Sequence, residues 1–205
     1  MSAVEVAEHP RITLSTLARA MGPITSDRLG RLLRGHKYRR PGPIRSYQNA
    51  RRQGILHLTA RAPLDPDAPL RSHEREAVHA LARMRLPLPE EVRATRPATH
   101  APAWEVEGVT ISMEPDVELE DERSAGALKL VLTKELLPDG VGSRMAALLW
   151  HHRRNVLGIA RTERRHCIVF EPRRPWLHLP DARPSAQVRP VELACRIIGA
   201  VWPLL

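Results

Sequence analysis

An acidic segment followed by a lysine contains the residues of this chain whose types and spacing could do chemistry. Within MEPDVELEDERSAGALKLVLTK, residues 113–134, the pair Pro115-Asp116 lies in one predicted strand and Lys129 in the next. Side chains two positions apart share a face of a strand, so Asp116 and Glu118 are expected on one open face, together with Lys129 from the next strand. Carboxylates beside a lysine could hold a divalent metal ion for the cleavage of a phosphodiester. Ala127 lies two positions before the lysine, on the same face of its strand.

The elements that would position these residues follow from the hydrophobic pattern beyond residue 103. Apolar residues fall on one parity of a predicted strand over 109–120, and a second strand is predicted over 127–134. A helix over 143–158, two strands in 165–172 and 175–180, and a closing helix over 190–202 complete a ββαββα order. The inward-facing residues of the first strand are Val109, Ile111, Met113, Val117 and Leu119.

This strand pair, with an acid and a lysine on one face and a helix and strand after it, resembles the PD-(D/E)xK nuclease superfamily over roughly residues 105–180. The resemblance implies that Pro115-Asp116 is the first motif element, and that Lys129 helps to position the attacking water. It implies Mg²⁺ held by Asp116 and a second acid. Position 127, where that acid is expected, is alanine, so Glu114 or Glu118 would have to take its place. The helix over 143–158 would flank this site, so that His151, His152 or Arg153 could touch phosphate.

Two plainer interpretations remain open for these residues. A solvated strand face is commonly charged, and a Glu opposite a Lys contributes only about 0.2–1 kcal/mol. Basic residues near a helix C-terminus complement its dipole, which accounts for WHHRRN at 150–155 without a ligand. Under these interpretations the strand pair is an ordinary or inactive nuclease-like hairpin.

A basic segment in the N-terminal half is the stronger functional signal. Residues 27–52 contain nine basic residues against one acid, with tyrosines interleaved. Arginines neutralise phosphates, and tyrosine can hydrogen-bond a phosphate or stack on a base. The predicted nucleic-acid-binding residues are Arg28, Arg31, Arg34, Lys37, Tyr38, Arg39, Arg40, Arg45, Tyr47, Arg51 and Arg52.

The fold class predicted is α+β, with a boundary near the middle of the chain. Residues 1–85 contain four predicted helices, and residues 86–103 contain four prolines without periodicity, as in a linker or extended crossover. Residues 104–205 form the predicted α+β region, a small mixed sheet with flanking helices.

Composition bounds the class of protein. The net charge is +9, and it divides as +9 over residues 1–100, −6 over 101–150 and +6 over 151–205, an acidic island between basic regions. No secretory signal or membrane-spanning run is seen, and Cys167 and Cys195 match no metal spacing, so a reduced cytoplasmic setting is expected. The 29 arginines against three lysines indicate a GC-rich bacterial genome.

Three functions follow as hypotheses. The preferred one is a non-catalytic nucleic-acid-binding protein without a cofactor, suited to a bacterial mobile-element or defence complex. The second is a divalent-metal nuclease that uses Asp116, Lys129 and Mg²⁺. The third is a subunit whose basic and acidic patches bind protein partners.

Overall fold

The computed structural model describes residues 5–39, 47–65, 72–83, 90–97, 102–133, 135–172, 174, 176–181 and 188–205. It confirms the α+β class: within these ranges, six α-helices accompany mixed sheets of five and three strands and a short two-stranded ribbon. No helix of the described ranges has both the length and the apolar character that crossing a membrane requires.

The elements are as follows. The strands are β1 Glu5–Val6, β2 Arg11–Thr13, β3 Tyr38–Arg39, β4 Arg93–Thr95, β5 Trp104–Val106, β6 Val109–Ser112, β7 Val117–Glu120, β8 Ala125–Leu130, β9 Thr162–Glu171 and β10 Trp176–His178. The helices are α1 Leu14–Ala20, α2 Ser26–Lys37, α3 Gln48–Ala60, α4 Ser72–Arg83, α5 Val141–His151 and α6 Val188–Val201. A π-helix, His152–Val156, continues α5, and a 3₁₀ turn, Trp202–Leu204, follows α6.

The five-stranded sheet has the order β10-β9-β8-β7-β4, and β8 and β9 are its parallel pair. Parallel neighbours need a crossover, which α5 and its π-helix supply. At Gly126 the strands β8 and β9 approach so closely that a Cβ would overlap the backbone of His166. Over residues 104–205 the order is ββββαββα, with two strands more than the predicted ββαββα.

The predicted continuous strand over 109–120 is wrong, because the chain changes sheets there. β6 pairs with β2 and β5 in the three-stranded sheet, whereas β7 pairs with β4 and β8 in the five-stranded sheet. Residues 113–116 form the crossing between them, where Pro115 has no N–H to donate to a strand ladder. The predicted parity nevertheless holds, since Val109, Ile111, Met113, Val117 and Leu119 are all buried.

Two apolar clusters form the core, one on each side of the five-stranded sheet. The first joins α1 and α2 to β6, α5 and α6, and it includes Leu17, Leu33, Ile111, Met145 and Ile198. The second joins α3 and α4 to the other face of the sheet, and it includes Ala50, Val78, Leu119, Leu128 and Phe170.

Both clusters contain residues from each side of the predicted 86–103 segment. Within that segment β4 is an edge strand of the five-stranded sheet. The N-terminal helices therefore share their core with the sheet, and the described part of 86–103 belongs to the fold.

Candidate functional site

Asp116 and Lys129 come together as the sequence predicts, at the point where β7 begins. The Lys129 Nζ lies 3.5 Å from Asp116 Oδ2 and donates a hydrogen bond of 2.6 Å to the Glu114 carbonyl. Burial lowers the pKa of Lys129, and the nearby Asp116 carboxylate opposes that shift. The predicted strand pair therefore brings its acid and its lysine into contact.

The setting of Asp116 differs from the open face that the sequence predicts. Asp116 is only 7% exposed, because α3 lies over it and Arg51 Nη1 donates to Asp116 Oδ1. The backbone N–H of Leu130 donates to Oδ2 at 2.8 Å, and Arg51 Nη2 donates to the Leu130 carbonyl at 3.2 Å. The sequence did not indicate this arrangement, because Arg51 is 65 positions away from Asp116 along the chain.

These contacts bear on whether Asp116 could bind a metal ion. Both of its oxygens already accept from N–H donors, and Mg²⁺ would have to displace Arg51 to reach Oδ1. Ala127, at the position of the missing acid, is fully buried and offers no ligand. Glu118 lies opposite Ala127 across β7 and β8, but its Oε1 accepts from Arg153 Nη1 at 3.2 Å. The donor set therefore fits a divalent metal poorly. No group of three or more His, Cys, Asp or Glu side chains suited to a metal is found in the described ranges.

The predicted nucleic-acid-binding residues divide into three groups. Arg28, Arg31 and Arg34 are exposed on α2, spaced three apart and therefore along one side of the helix. Arg52 on α3 is also exposed. Leu29 and Leu33 are buried on the opposite side of α2, which fixes the arginine side outward.

The second group is engaged within the protein. Lys37 Nζ donates to the Trp202 carbonyl at 2.8 Å, and the Tyr38 hydroxyl donates to the Leu205 carbonyl at 2.7 Å. Tyr47 is 6% exposed and packs in the second cluster, so its ring is not available for stacking. Arg51 is paired with Asp116, as described above.

The third group, Arg40, Arg45 and the side chain of Arg39, falls outside the described residues.

A cavity of about 230 Å³ lies on the α5 side of the five-stranded sheet, behind the Ala127 position. Its apolar lining residues include Met113, Pro115, Ala127, Leu149, Leu157 and Ile159.

The polar residues at the wall of this cavity are Glu118 from β7 and the pair His152 and Arg153 from the π-helix. The sequence pointed to His152 and Arg153 only as possible phosphate contacts in the nuclease interpretation. Their burial could not be inferred, because a helix C-terminus rich in basic residues is ordinarily exposed.

The π-helix determines where these two side chains lie. The N–H of Leu157 donates to the carbonyl of His152 at 2.9 Å, which is the i to i+5 bond of a π-helix. π-Helices are rare and occur frequently at functional sites. Both His152 and Arg153 are buried there, and the Trp104 ring packs 6.3 Å from the His152 ring.

Comparison with known proteins adds no further constraint, since no protein-family model, no curated protein and no solved structure matches this chain.

Proposed function

We propose that this chain is a non-catalytic nucleic-acid-binding protein that contacts backbone phosphates through α2. The observation that carries the proposal is the exposed row formed by Arg28, Arg31 and Arg34. Asp27 is the only acidic residue of α2, so α2 itself places no carboxylate beside the row after the first turn. Clustered arginines attract a phosphate backbone by releasing its condensed counterions.

The position of the row also supports binding. Because α2 packs on the first cluster through Leu29 and Leu33, the arginines project from a rigid element. The sequence of residues 40–46 adds Arg40 and Arg45 to the same basic segment. A role in a bacterial mobile-element or defence complex agrees with this proposal.

The test is a titration of labelled duplex and single-stranded oligonucleotides by fluorescence anisotropy over a series of salt concentrations. Wild-type protein should bind with a steep salt dependence. Replacing Arg28, Arg31 and Arg34 by Glu should weaken binding. It should also make the negative slope of log K against log salt shallower by about 3 for duplex DNA, since each phosphate contact contributes about 0.9 to that slope.

A matched control reverses three other exposed arginines, Arg75, Arg93 and Arg189, which lie on α4, β4 and α6. The control has the same net charge as the α2 variant, so it separates a local contact from a general charge effect. Equal binding by the two variants would refute an interface on α2.

A divalent-metal nuclease is the second candidate, favoured by the 3.5 Å approach of Lys129 Nζ to Asp116 Oδ2. The Arg51 contact and Ala127 disfavour it. Incubation of oligonucleotides with the protein and Mg²⁺ or Mn²⁺ tests it: cleavage by wild type that Asp116→Asn abolishes would establish the nuclease and overturn the non-catalytic proposal. Cleavage that survives in Asp116→Asn would exclude this site.

A further inference from the structure

Arg153 is a buried cation with most of its hydrogen-bonding capacity unused. Its side chain is 5% exposed, and Nη1 donates to Glu118 Oε1 at 3.2 Å. Its Nε and Nη2 are buried, and neither has a hydrogen-bond partner among the described residues. An unsatisfied buried donor costs about 1–3 kcal/mol, and more when it is charged. One edge of the guanidinium, formed by Nε and Nη2, therefore lacks an acceptor next to a cavity.

His152 presents a second unused polar atom at the same cavity. Burial lowers the pKa of His152 to about 4, so the ring is neutral at physiological pH. The ring hydrogen-bonds the backbone of Pro102, where the only polar atom is the carbonyl, so this ring nitrogen carries the proton. The Nε2 is buried without a partner among the described residues, and in this tautomer it is an acceptor.

The cavity sets the size of what these atoms could bind. Its volume of about 230 Å³ lies slightly below the usual range for ligand pockets. At about 30 Å³ for each water in the liquid, it equals the space of roughly eight waters. A polynucleotide does not fit such a space, and the arginine lies too deep to meet a phosphodiester on the surface.

The charge of the groups in the wall decides whether the ligand of this cavity is a cation or an anion. Glu118 also faces the cavity, but it is 28% exposed and its Oε1 already accepts from Arg153. The unused groups of Arg153 are donors, and they require an acceptor with two oxygens. The apolar side chains in the walls, such as Met113 and Leu149, suit a short carbon chain, and His152 Nε2 requires a donor on that chain.

We propose that this cavity binds a small carboxylate that carries a hydroxyl or amine group. Its carboxylate accepts from Arg153 Nε and Nη2, its hydroxyl or amine donates to His152 Nε2, and its carbon atoms lie against Met113 and Leu149. This site is separate from the arginine row on α2. The carboxylate site can therefore be refuted without affecting the proposal of nucleic-acid binding, and the reverse also holds.

The experiment is an NMR titration of ¹⁵N-labelled protein that follows the Nε–H signal of Arg153, assigned by its loss in Arg153→Lys. The probes are lactate, propionate without the hydroxyl, lactamide without the charge, and inorganic phosphate. Lactate should shift the Arg153 signal at the lowest concentration, propionate should require several-fold more, and lactamide should leave the signal in place. Absence of a shift with lactate, or a shift with phosphate alone, would overturn the proposal.

Two variants give a readout that does not depend on the loss of an arginine. Ala127→Glu places a carboxylate in the cavity wall, so it should satisfy Arg153 internally and abolish the lactate response. Glu118→Gln leaves Arg153 Nε and Nη2 without acceptors, as in the wild type, so it should retain the lactate response. A lactate shift that is unchanged in Ala127→Glu and lost in Glu118→Gln would place the anion elsewhere and refute the site.

Discussion

Replacing Asp116 by alanine tests whether this carboxylate holds the fold together. Asp116 joins α3 to β8, because it accepts from Arg51 and from the backbone N–H of Leu130 and lies 3.5 Å from Lys129 Nζ. Asp116→Ala removes every one of these contacts and takes the Asp116 carboxylate away from Lys129, whose side chain is 21% exposed. Asp116→Asn keeps an oxygen for the Leu130 N–H, but it removes the charge and replaces the oxygen that accepts from Arg51 by an NH₂ group.

The magnitude follows from the burial of each partner. Removing one member of a buried ion pair typically costs about 3–5 kcal/mol. The lower end applies here because Arg51 is 36% exposed and can turn to water, and Lys129, with its pKa already lowered, can release its proton. We therefore expect Asp116→Ala to lower the free energy of unfolding by about 3 kcal/mol, and Asp116→Asn by about half as much, since the Leu130 N–H stays satisfied.

Urea denaturation followed by circular dichroism measures both variants, with linear extrapolation to water. The control is Glu120→Ala, which removes a carboxylate that is 41% exposed from β7, the strand that follows Asp116. Its Oε1 lies 3.6 Å from Arg161 Nη2, and its loss should change stability by less than about 1 kcal/mol. If Asp116→Ala loses no more than Glu120→Ala, the network does not stabilise the fold. If Asp116→Asn costs as much as Asp116→Ala, the charge and the Arg51 contact, rather than the Leu130 hydrogen bond, carry the effect.

Two further predictions concern buried titratable groups. Because burial lowers the pKa of His152 from 6.5 to about 4, the unfolded chain binds the proton first as pH falls. The free energy of unfolding should therefore drop between those pH values, by at most about 3 kcal/mol, and His152→Asn should reduce the drop; identical curves for the two proteins would contradict this. Burial also raises the pKa of Cys167 to about 12 and of Cys195 to about 11, so neither should react with a disulfide reagent in mildly alkaline buffer until the protein is unfolded. A thiol that reacts at once in the native protein would be inconsistent with that burial.

The sequence predicts the local features of this fold and fails where distant segments meet. The alternation through Val109 and Leu119 identifies the buried side, because period 2 is a local property of a strand. The helix predicted over 143–158 has its end in the right place, since Gly158 lies at φ +70 just after the π-helix. Its predicted start is two positions late, since α5 begins at Val141.

The candidate site was predictable only in part. The proximity of Asp116 to Lys129 follows from the strand pair itself, as predicted. The burial of Asp116 depends on Arg51 from another helix, and no periodicity reports that contact. The cavity depends on a π-helix whose extra residue has no sequence signature, so the inward positions of His152 and Arg153 were missed.

The pairing of β2 with β6 has a consequence for the order in which the chain folds. Ile12 lies opposite Ile111, 111 − 12 = 99 positions away, whereas Val117 and Leu128 of the β7–β8 hairpin are 11 positions apart, 128 − 117. Closing the longer loop costs more chain entropy, so we expect the hairpin to form early and β2 to join β6 late. Contacts made after the transition state govern the unfolding rate. The short β2 strand would therefore mainly determine the unfolding rate. It would set how long the native state persists rather than how quickly that state is reached.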